Sequence, residues 1–324
     1  MVGFGYTLMT EQAGPKDLVR HARAAERAGF DFEVISDHYF PWLASQGHAP
    51  YAWSVLGAVT QVTERAELMT YVTCPIMRYH PAVVAQKAAT VGVLSDGRFT
   101  LGLGAGENLN EHVIGQGWPP VNVRHEMLAE ALSIIEELFD GGYVNYAGRH
   151  FRVDSAKVWD LPDRRVPIAV AVSGPQSVAM AAPRADAMIA VEPSAELCRQ
   201  WEHFSTDRGE RKIGQLPICW DTDRDAAVRR AHDQFRWFGG GWKVNAELPG
   251  PTAFAAANRF VTERDVANGI PCGPDVAAIV SATSAYWKAG FTDIALVQIG
   301  SEQQDRFLSF AAAELLPALR EAAN

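Results

Sequence analysis

The stretch AERAGFDFEVISDH, residues 25–38, decides the fold. Gly29 stops an amphipathic helix, because the position after a helix often needs a positive φ that glycine adopts freely. Residues 30–36 then form an apolar run that is typical of a short, buried strand. The same order of helix, glycine and strand returns in KAGFTDIALVQI, residues 288–299. The sequence therefore predicts a fold that repeats a helix followed by a buried strand.

Between these two units the chain alternates amphipathic helices with short apolar strands. This alternation, without a hairpin rhythm in the main body, predicts a parallel sheet whose strands are linked by helices. About eight strands in one chain favour a closed barrel over a doubly wound sheet. We therefore predict an α/β fold of the (β/α)8 TIM-barrel class. The further predicted strands cover residues 67–72, 99–104, 167–172, 187–191, 215–220 and 294–299, and the clearest helices cover residues 81–94 and 121–139.

Two segments interrupt the alternation. Residues 143–153 are typical of a small hairpin that turns at Ala147-Gly148. Residues 236–272 are rich in Gly, Pro, Trp and Asn, and long segments of this kind are usually lids or binding loops. We predict one barrel domain over residues 1–324, with the 236–272 insertion covering its active-site end before the last strands.

The composition excludes several classes of protein. The net charge is −9, the pI is near 5.5 and there is no basic stripe, so we expect no nucleic-acid partner. No apolar run approaches the ~18 residues that a membrane helix needs. The four cysteines are scattered, which predicts neither a zinc site nor a disulfide framework. We therefore expect a cytoplasmic protein that binds a small-molecule substrate and no metal.

Functional residues of a parallel barrel lie at the carboxyl ends of its strands, where the following loops converge. His38 follows the strand predicted at residues 30–36, and its ordinary pKa near neutrality suits a general base. The adjacent Asp37 could orient the ring, although a histidine that merely caps a loop fits this position equally well. Glu107, after the strand predicted at residues 99–104, is a candidate acid or a hydrogen-bonding partner of a ligand, or else a carboxylate that stabilises a helix start. Trp42 lies in the same loop as His38, where a substrate could stack.

Gly102, Gly104 and Gly106 lie at the end of a predicted strand, where glycines let a flat ligand approach the backbone. A dinucleotide-binding fingerprint has its third glycine three residues after the second, and these glycines do not have that spacing. Residues 173–177 pass from a strand into a helix start. Backbone N–H groups at such a start hold a phosphate, or Ser173 simply caps the helix.

Longer motifs resemble one known family. They are residues 36–42 (SDHYFPW), 46–50 (QGHAP), 72–75 with 78–81 (VTCP, RYHP), 104–111 (GAGENLNE) and 173–175 (SGP). They are similar to those of the coenzyme F420-dependent glucose-6-phosphate dehydrogenases, a deazaflavin branch of the luciferase-like superfamily. The resemblance spans most of the chain and implies a luciferase-like barrel, usually a homodimer.

The resemblance also implies a reaction, a hydride transfer between an alcohol- or sugar-type carbon and C5 of the deazaflavin. His38 would remove the hydroxyl proton, and Trp42 would stabilise charge near the reacting centre. Glu107 would protonate the ring nitrogen of the reduced cofactor. The protein is therefore expected to be an F420-dependent oxidoreductase of the dehydrogenase type.

Cofactor-binding positions carry over from the same motifs. The family has a non-proline cis peptide after the third strand, which would fall at Tyr71-Val72, and a phosphate-binding stretch that would fall at residues 174–178. The implied cofactor-binding residues are Asp37, Tyr71, Val72, Cys74, Gly106, Asn110, Ser173, Gly174, Pro175, Gln176, Ser177 and Val178.

The sequence departs from the glucose-6-phosphate enzymes where they bind the sugar phosphate. Val191 and Ser194 stand where that family has a threonine and a lysine, and Asn268-Gly269 stands where basic residues are expected. A phosphate dianion facing Glu192 without lysines would be poorly stabilised. We therefore expect an uncharged alcohol, sugar or related carbonyl compound, and not glucose 6-phosphate, as the substrate.

Three other functions compete with this interpretation. The first is a flavin mononucleotide (FMN) monooxygenase of the same superfamily, which the loop with His38 and Trp42 fits less well. The second is a deazaflavin-binding protein without turnover, which the joint presence of His38, Trp42 and Glu107 argues against. The third is a metal-dependent lyase or hydrolase, for which the strand ends lack a further cluster of carboxylates or histidines.

Overall fold

The computed structural model describes residues 2–206 and 209–324, so Met1, Asp207 and Arg208 of the predicted domain lie outside the described residues. Its strands are β1 Gly3–Leu8, β2 Phe32–Ile35, β3 Glu67–Thr70, β4 Phe99–Leu103, β5 Val144–Ala147, β6 Arg152–Ala156, β7 Ile168–Ala171, β8 Ala187–Ala190, β9 Arg211–Ile218 and β10 Asp293–Gln298. Eight of them close a parallel barrel in the order β1-β10-β9-β8-β7-β4-β3-β2, which confirms the predicted fold class. The antiparallel pair β5–β6 is the predicted hairpin.

Helices link the strands and form the outer layer. They are α1 Pro15–Ala28, α2 Ala52–Val59, α3 Pro81–Leu94, α4 Asn108–Glu111, α5 Val121–Phe139, α6 Pro175–Ala181, α7 Ala195–Phe204, α8 Arg224–Phe235, α9 Trp242–Asn245, α10 Pro251–Ala257, α11 Glu263–Gly269, α12 Val276–Ala289, α13 Gln304–Phe310 and α14 Leu316–Ala323. Gly29 ends α1 with φ 99°, as predicted. Proline occupies the first turn of α1 and α3, where its fixed φ suits a helix start.

Side chains alternate between the two faces of each barrel strand. On β2, Phe32 and Val34 fill the barrel interior, whereas Ile35 packs outward against the helices. On β1, Gly5 faces the interior without a side chain, because a Cβ there would lie 2.3 Å from the ring of Phe32. The alternation continues past the strand ends and decides which loop residues face the barrel axis.

Two predicted segments differ in detail from the structure. Strand β9 begins at Arg211, four residues before the predicted start at Gln215, because Arg211 and Lys212 reach ion-pair partners at the rim and do not break the strand. The 236–272 segment is largely helical, with α9, α10 and α11 and a short 3-10 helix at Arg236–Gly240. In the described part of the chain, no helix combines the length and the apolarity needed to cross a membrane.

Candidate active site

An imidazole between two carboxylates forms the centre of the site. His38 Nδ1 lies 3.0 Å from Glu11 Oε1, and His38 Nε2 lies 3.5 Å from Glu107 Oε2. The side chains of all three residues are largely or fully removed from solvent. The first contact is a hydrogen bond in length, whereas the second is longer than a normal hydrogen bond. Nε2 is therefore the ring nitrogen that remains available to a substrate.

The barrel geometry explains why these residues meet. His38 continues the inward-facing set of β2 that includes Phe32 and Val34. Glu11 follows β1, the strand that pairs directly with β2. His38 and Glu107 are site residues predicted from the sequence, whereas Glu11 is not. Its position just past the end of a barrel strand was the signal that could have found it.

Polar neighbours hold the Glu11 carboxylate in place. Ser36 Oγ donates a hydrogen bond of 2.6 Å to Glu11 Oε2, and Thr10 Oγ1 donates a weaker one of 3.3 Å to the same oxygen. Burial raises the pKa of Glu11, but its pairing with His38 and Ser36 outweighs this effect and lowers the pKa below its usual value. Glu11 is therefore a charged partner for the imidazole.

The two carboxylates control the protonation of His38. Burial lowers the pKa of His38, yet Glu11 and Glu107 together raise it to about 9. The pKa of Glu107 is raised as well, because burial raises it more than the neighbouring His38 lowers it. At neutral pH the imidazole is therefore cationic in the ligand-free protein, and Glu107 retains a proton more readily than an exposed glutamate.

Asn110 joins the loop of His38 to the loop of Glu107. Its Nδ2 donates a hydrogen bond of 2.8 Å to Glu107 Oε2. Its Oδ1 accepts hydrogen bonds from the backbone N–H groups of Tyr39 at 2.8 Å and Phe40 at 3.3 Å. The buried Asn110 thus positions Glu107 against the segment that carries His38, and its predicted part in cofactor binding stays a prediction.

An aromatic wall covers one side of the imidazole. The Trp42 ring lies 4.8 Å from the His38 ring, centroid to centroid. On its other side Trp42 stacks on Trp237, with 4.1 Å between centroids and 12° between ring planes, and Phe254 packs edge-on at 5.1 Å. Trp237 and Phe254 belong to the 236–272 segment, which therefore contacts the catalytic end of the barrel. Trp237 is a second residue that the sequence analysis did not assign to the site.

The expectation that Asp37 orients His38 is wrong. Consecutive residues of an extended chain point to opposite faces, so Asp37 faces the outer layer while His38 faces the barrel axis. The carboxylate of Asp37 is fully buried. It accepts hydrogen bonds from Trp53 Nε1 (3.1 Å), Thr73 Oγ1 (2.8 Å), Arg78 Nη2 (3.2 Å) and Tyr79 Oη (3.2 Å). Its predicted part in cofactor binding stays a prediction.

Small and half-buried groups line the strand ends beside the imidazole. The Tyr71-Val72 peptide bond is cis, as predicted, and both side chains are half-buried against the barrel interior together with Ala171. Gly106 has φ 77°, and a Cβ there would lie 2.4 Å from Sγ of the buried Cys74. The Tyr71 hydroxyl is buried and has no hydrogen-bond partner among the described residues. The half-buried side chains and the absent side chain at Gly106 give these strand ends a low, apolar surface, which fits a flat ring such as a deazaflavin.

The predicted phosphate-binding stretch follows β7. Ser177 is buried, and its Oγ accepts hydrogen bonds from the N–H groups of Ser173 at 3.1 Å and Gly174 at 3.2 Å. Pro175 and Gln176 are exposed and Val178 is buried. Ser177 therefore fixes the turn, and phosphate binding by this stretch stays a prediction.

The positions that depart from the glucose-6-phosphate enzymes have other roles or face solvent. Ser194 caps α7 by accepting a hydrogen bond from the N–H of Leu197 at 3.2 Å. Glu192 and Asn268 are exposed. None of these positions supplies a cation.

Comparisons with known proteins agree with this geometry. The luciferase-like monooxygenase family model matches residues 2–293. The chain belongs to the luciferase-like family. This confirms the superfamily inferred from the motifs.

Individual relatives indicate which branch of the family the chain is similar to. An F420-dependent glucose-6-phosphate dehydrogenase of Microbacterium testaceum is 33% identical, over 98% of this chain and 97% of the relative. An F420-dependent hydroxymycolic acid dehydrogenase of Mycobacterium tuberculosis is 34% identical, over 98% of this chain and 88% of the relative. Among solved structures, an F420-dependent secondary alcohol dehydrogenase in complex with an F420-acetone adduct superposes with a TM-score of 0.89 at 26% identity, covering 98% of this chain and 99% of that one. The recognised resemblance to F420-dependent dehydrogenases is thereby confirmed.

Proposed function

We propose that the protein is a coenzyme F420-dependent dehydrogenase that exchanges a hydride with the carbon of an alcohol or carbonyl substrate. The observation that carries this proposal is the placement of His38 between Glu11 and Glu107 at the carboxyl end of the barrel. This arrangement supplies a proton acceptor and donor beside an apolar floor. The full-length relatives named above are F420-dependent dehydrogenases by name.

His38 moves the substrate proton through Nε2. Nδ1 lies 3.0 Å from Glu11 Oε1 and 3.3 Å from the backbone oxygen of Phe40, and acceptors at one ring nitrogen fix the tautomer and leave the other nitrogen for the substrate. A neutral His38 accepts the hydroxyl proton of an alcohol, and a protonated His38 returns it to a carbonyl oxygen. When bound, the deazaflavin supplies the complementary step by exchanging a hydride at C5. The raised pKa of His38 favours the proton-donating form at neutral pH.

Glu107 and Trp42 have supporting parts in this proposal. Burial raises the pKa of Glu107, so this carboxyl takes up a proton more readily than an exposed glutamate, and the family resemblance would direct that proton to the ring nitrogen of the reduced cofactor. The Trp42 ring packs against the His38 ring and restricts its rotation. Glu107 positions a proton and Trp42 positions the imidazole ring. Efficient proton transfer requires groups that are positioned in this way.

The substrate of this proposal is uncharged. Trp42, Trp237 and Phe254 form an apolar wall next to the imidazole. A phosphate dianion needs charge-assisted hydrogen bonds from lysine or arginine. Ser194 instead caps a helix, and the exposed Glu192 would repel an anion. We therefore infer an alcohol, an uncharged sugar or a ketone as substrate, and not glucose 6-phosphate.

Two fluorescence titrations test the cofactor. The purified protein is titrated with coenzyme F420 and, separately, with FMN. Micromolar or tighter binding of F420 with weak FMN binding supports the proposal, and turnover is then assayed with secondary alcohols, sugars and glucose 6-phosphate. Preferential FMN binding would assign the protein to the monooxygenases, and binding of neither would leave only the fold. Turnover of micromolar glucose 6-phosphate would contradict the uncharged substrate.

We infer that the protein is a homodimer, as in the family that it resembles. Exposed apolar side chains just before α2 and on the neighbouring helix α3 support this assembly, because exposed apolar surface often marks an interface. They are Tyr51, just before α2, and Val83, Val93 and Leu94 on α3. Light scattering should give about twice the 35.4 kDa mass of one chain. A monomeric mass would contradict this inference.

We also infer a cytoplasmic location. All four cysteines are free, and three of them are buried. Unpaired cysteines are usual in the reducing cytoplasm, where disulfides are rare. Fractionation of the native cells should recover the protein with cytoplasmic markers.

A further inference from the structure

One arginine lies between the two loops that carry the proton-transfer residues. The loop after β2 carries His38, and the loop after β4 carries Glu107. Strand β3 lies between β2 and β4 in the barrel, and the segment that follows it carries Arg78. The side chain of Arg78 is 9% exposed. The arginine is therefore buried at the position where it can contact both loops.

Arg78 contacts both the His38 loop and the Glu107 loop. Towards the His38 loop, its Nη2 donates hydrogen bonds to the backbone oxygen of Asp37 at 2.7 Å and to Asp37 Oδ1 at 3.2 Å. Towards the Glu107 loop, its backbone N–H donates to Glu111 Oε2 at 2.7 Å, and its Nε lies 3.5 Å from Glu111 Oε1. Both carboxylates are at most 1% exposed. A buried charge is retained only when it is paired, so the guanidinium charge ties Arg78 to these two carboxylates.

The two partners are adjacent to the reacting groups in the chain. Asp37 directly precedes His38. Glu111 closes α4, the single helical turn that starts after Glu107, and so moves with it. Any displacement of Arg78 would therefore change the separation between His38 and Glu107.

We propose that Arg78 is a positioning residue that holds the His38 loop and the Glu107 loop at their working separation. The geometry assigns it no contact with the reacting atoms. Its action on the reaction rests on the function proposed above, whereas its action on the position of His38 does not.

The charge of Arg78 also affects the proton balance of the site. His38 is faced by Glu11 from the β1 loop, by Glu107 from the start of α4 and by Arg78 from the β3 loop. Both carboxylates raise the pKa of His38, and Arg78 opposes them. The same guanidinium lowers the pKa of Glu107 against the effect of burial. Loss of this positive charge should therefore raise the pKa of His38.

Two buried carboxylates and an aromatic ring contact the guanidinium of Arg78. Burial disfavours the charged guanidinium, but the Asp37 and Glu111 carboxylates outweigh this effect and raise the pKa of Arg78. The Tyr79 ring lies 4.6 Å from the guanidinium carbon, and burial raises the pKa of Glu111 to about 7. A lysine at this position would keep the charge. As a single point charge it could not bind both loops in the forked geometry of a guanidinium.

The test compares Arg78→Met and Arg78→Lys in the full-length protein. We measure kcat and KM with F420 and the best alcohol substrate, and we follow the titration of His38 by NMR in the cofactor-free protein with labelled histidine. A displacement of about 1 Å costs about 100-fold in rate, so we expect a kcat reduced by that order in R78M, with little change in KM. The His38 midpoint should rise in R78M and stay near the wild-type value in R78K, while R78K still loses kcat.

Arg211→Met is the matched control. Arg211 also bridges two carboxylates, Glu67 at 2.6 Å and Asp293 at 2.9 Å, but at the opposite end of the barrel. A kcat of R78M like that of R211M, or a His38 midpoint that does not rise in R78M, overturns the proposal. If R78M does not fold, R78K decides it: a lower kcat with a wild-type midpoint supports the proposal, and a wild-type kcat overturns it. Absence of F420-dependent turnover in the wild type would contradict the proposed function, and the NMR titration would still decide the role of Arg78.

Discussion

Glu11 Oε1 lies 3.0 Å from His38 Nδ1, and the two residues belong to loops that follow neighbouring strands of the barrel. This contact fixes the imidazole and leaves Nε2 towards Glu107 at 3.5 Å. The pair therefore controls two properties of the site, the orientation of the proton carrier and its pKa. Both properties are accessible to kinetic and spectroscopic measurement.

The first prediction concerns pH. Alcohol oxidation needs neutral His38, whose pKa is about 9, so kcat/KM for oxidation should rise by about tenfold per pH unit between pH 7 and 8.5 and level off above pH 9. Carbonyl reduction needs the protonated form, so its kcat/KM should be flat below pH 9 and fall above it. Initial rates in both directions check this. A flat oxidation profile from pH 7 to 9 would contradict it.

The second prediction is that Glu11→Gln lowers the pKa of His38. Loss of the carboxylate removes both a charge attraction and a hydrogen bond that favour the imidazolium. The oxidation profile should move to lower pH, and its plateau should fall because the ring is less well oriented. Glu107→Gln serves as the comparison and should shift the profile less, because its contact with His38 is longer. An unchanged profile in Glu11→Gln would remove Glu11 from the proton-transfer unit.

Much of the fold could be predicted because its signals are local. Helices α3 and α5 have the predicted bounds: Pro81 marks the start of α3, and Gly141-Gly142 follow the end of α5. The start of β9 could not be predicted in this way. Arg211 interrupts the apolar pattern of the sequence, and its ion pairs with other strands explain its place in the strand.

The site shows the same division between local and long-range signals. His38 and Glu107 lie in motifs next to strand ends, and barrel topology alone brings them together. Glu11 has no motif of its own, and Trp237 lies in a segment whose composition suggested only a loop. The stacking of Trp237 on Trp42 depends on how the insertion folds back, which no local pattern encodes.

The third prediction tests this stack. Trp237 is 9% exposed, and Trp237→Ala should destabilise the protein by about 3 kcal/mol by leaving a cavity. KM for the substrate should rise as well, because Trp42 loses its support. Trp237→Phe should retain most of both properties. Trp159→Ala, at a tryptophan that is 74% exposed, is the control and should change neither the melting temperature nor KM.

The fourth prediction concerns the floor of the site at Gly106. Gly106→Ala places a Cβ 2.4 Å from Cys74 Sγ at a φ of 77°, so it should reduce stability and weaken F420 binding. Gly115→Ala provides a close match, since Gly115 has φ 76° and nothing within 4 Å of the added Cβ. That control should cost about 1 kcal/mol from backbone strain alone and leave the cofactor Kd unchanged. Equal Kd values for the two variants would show that close packing at Gly106 does not shape the cofactor site.

The last prediction uses a carboxyl outside the site. Glu33 on β2 is 1% exposed, and neither of its carboxyl oxygens has a hydrogen-bond partner among the described residues. Burial, with a smaller contribution from Glu26, raises its pKa well above the usual value, while Arg98 opposes this. The folded state therefore binds this proton more tightly than the unfolded state does. The stability from this group is fully present below the unfolded pKa of about 4.3 and is lost as pH rises towards the folded pKa.

Glu33→Gln should remove this dependence. Denaturant unfolding from pH 5 to 7 should show that the wild type loses stability relative to the variant as the pH rises, by at most about 1.4 kcal/mol per pH unit. The stability of Glu33→Met should depend on pH in the same way as that of Glu33→Gln. Its absolute stability should be higher than that of Glu33→Gln, because methionine leaves no buried amide without a partner. Parallel stability curves for the wild type and both variants would contradict a neutral buried carboxyl at position 33. The slope decides the question, since a change in packing would displace the curve at every pH and leave its slope unaltered.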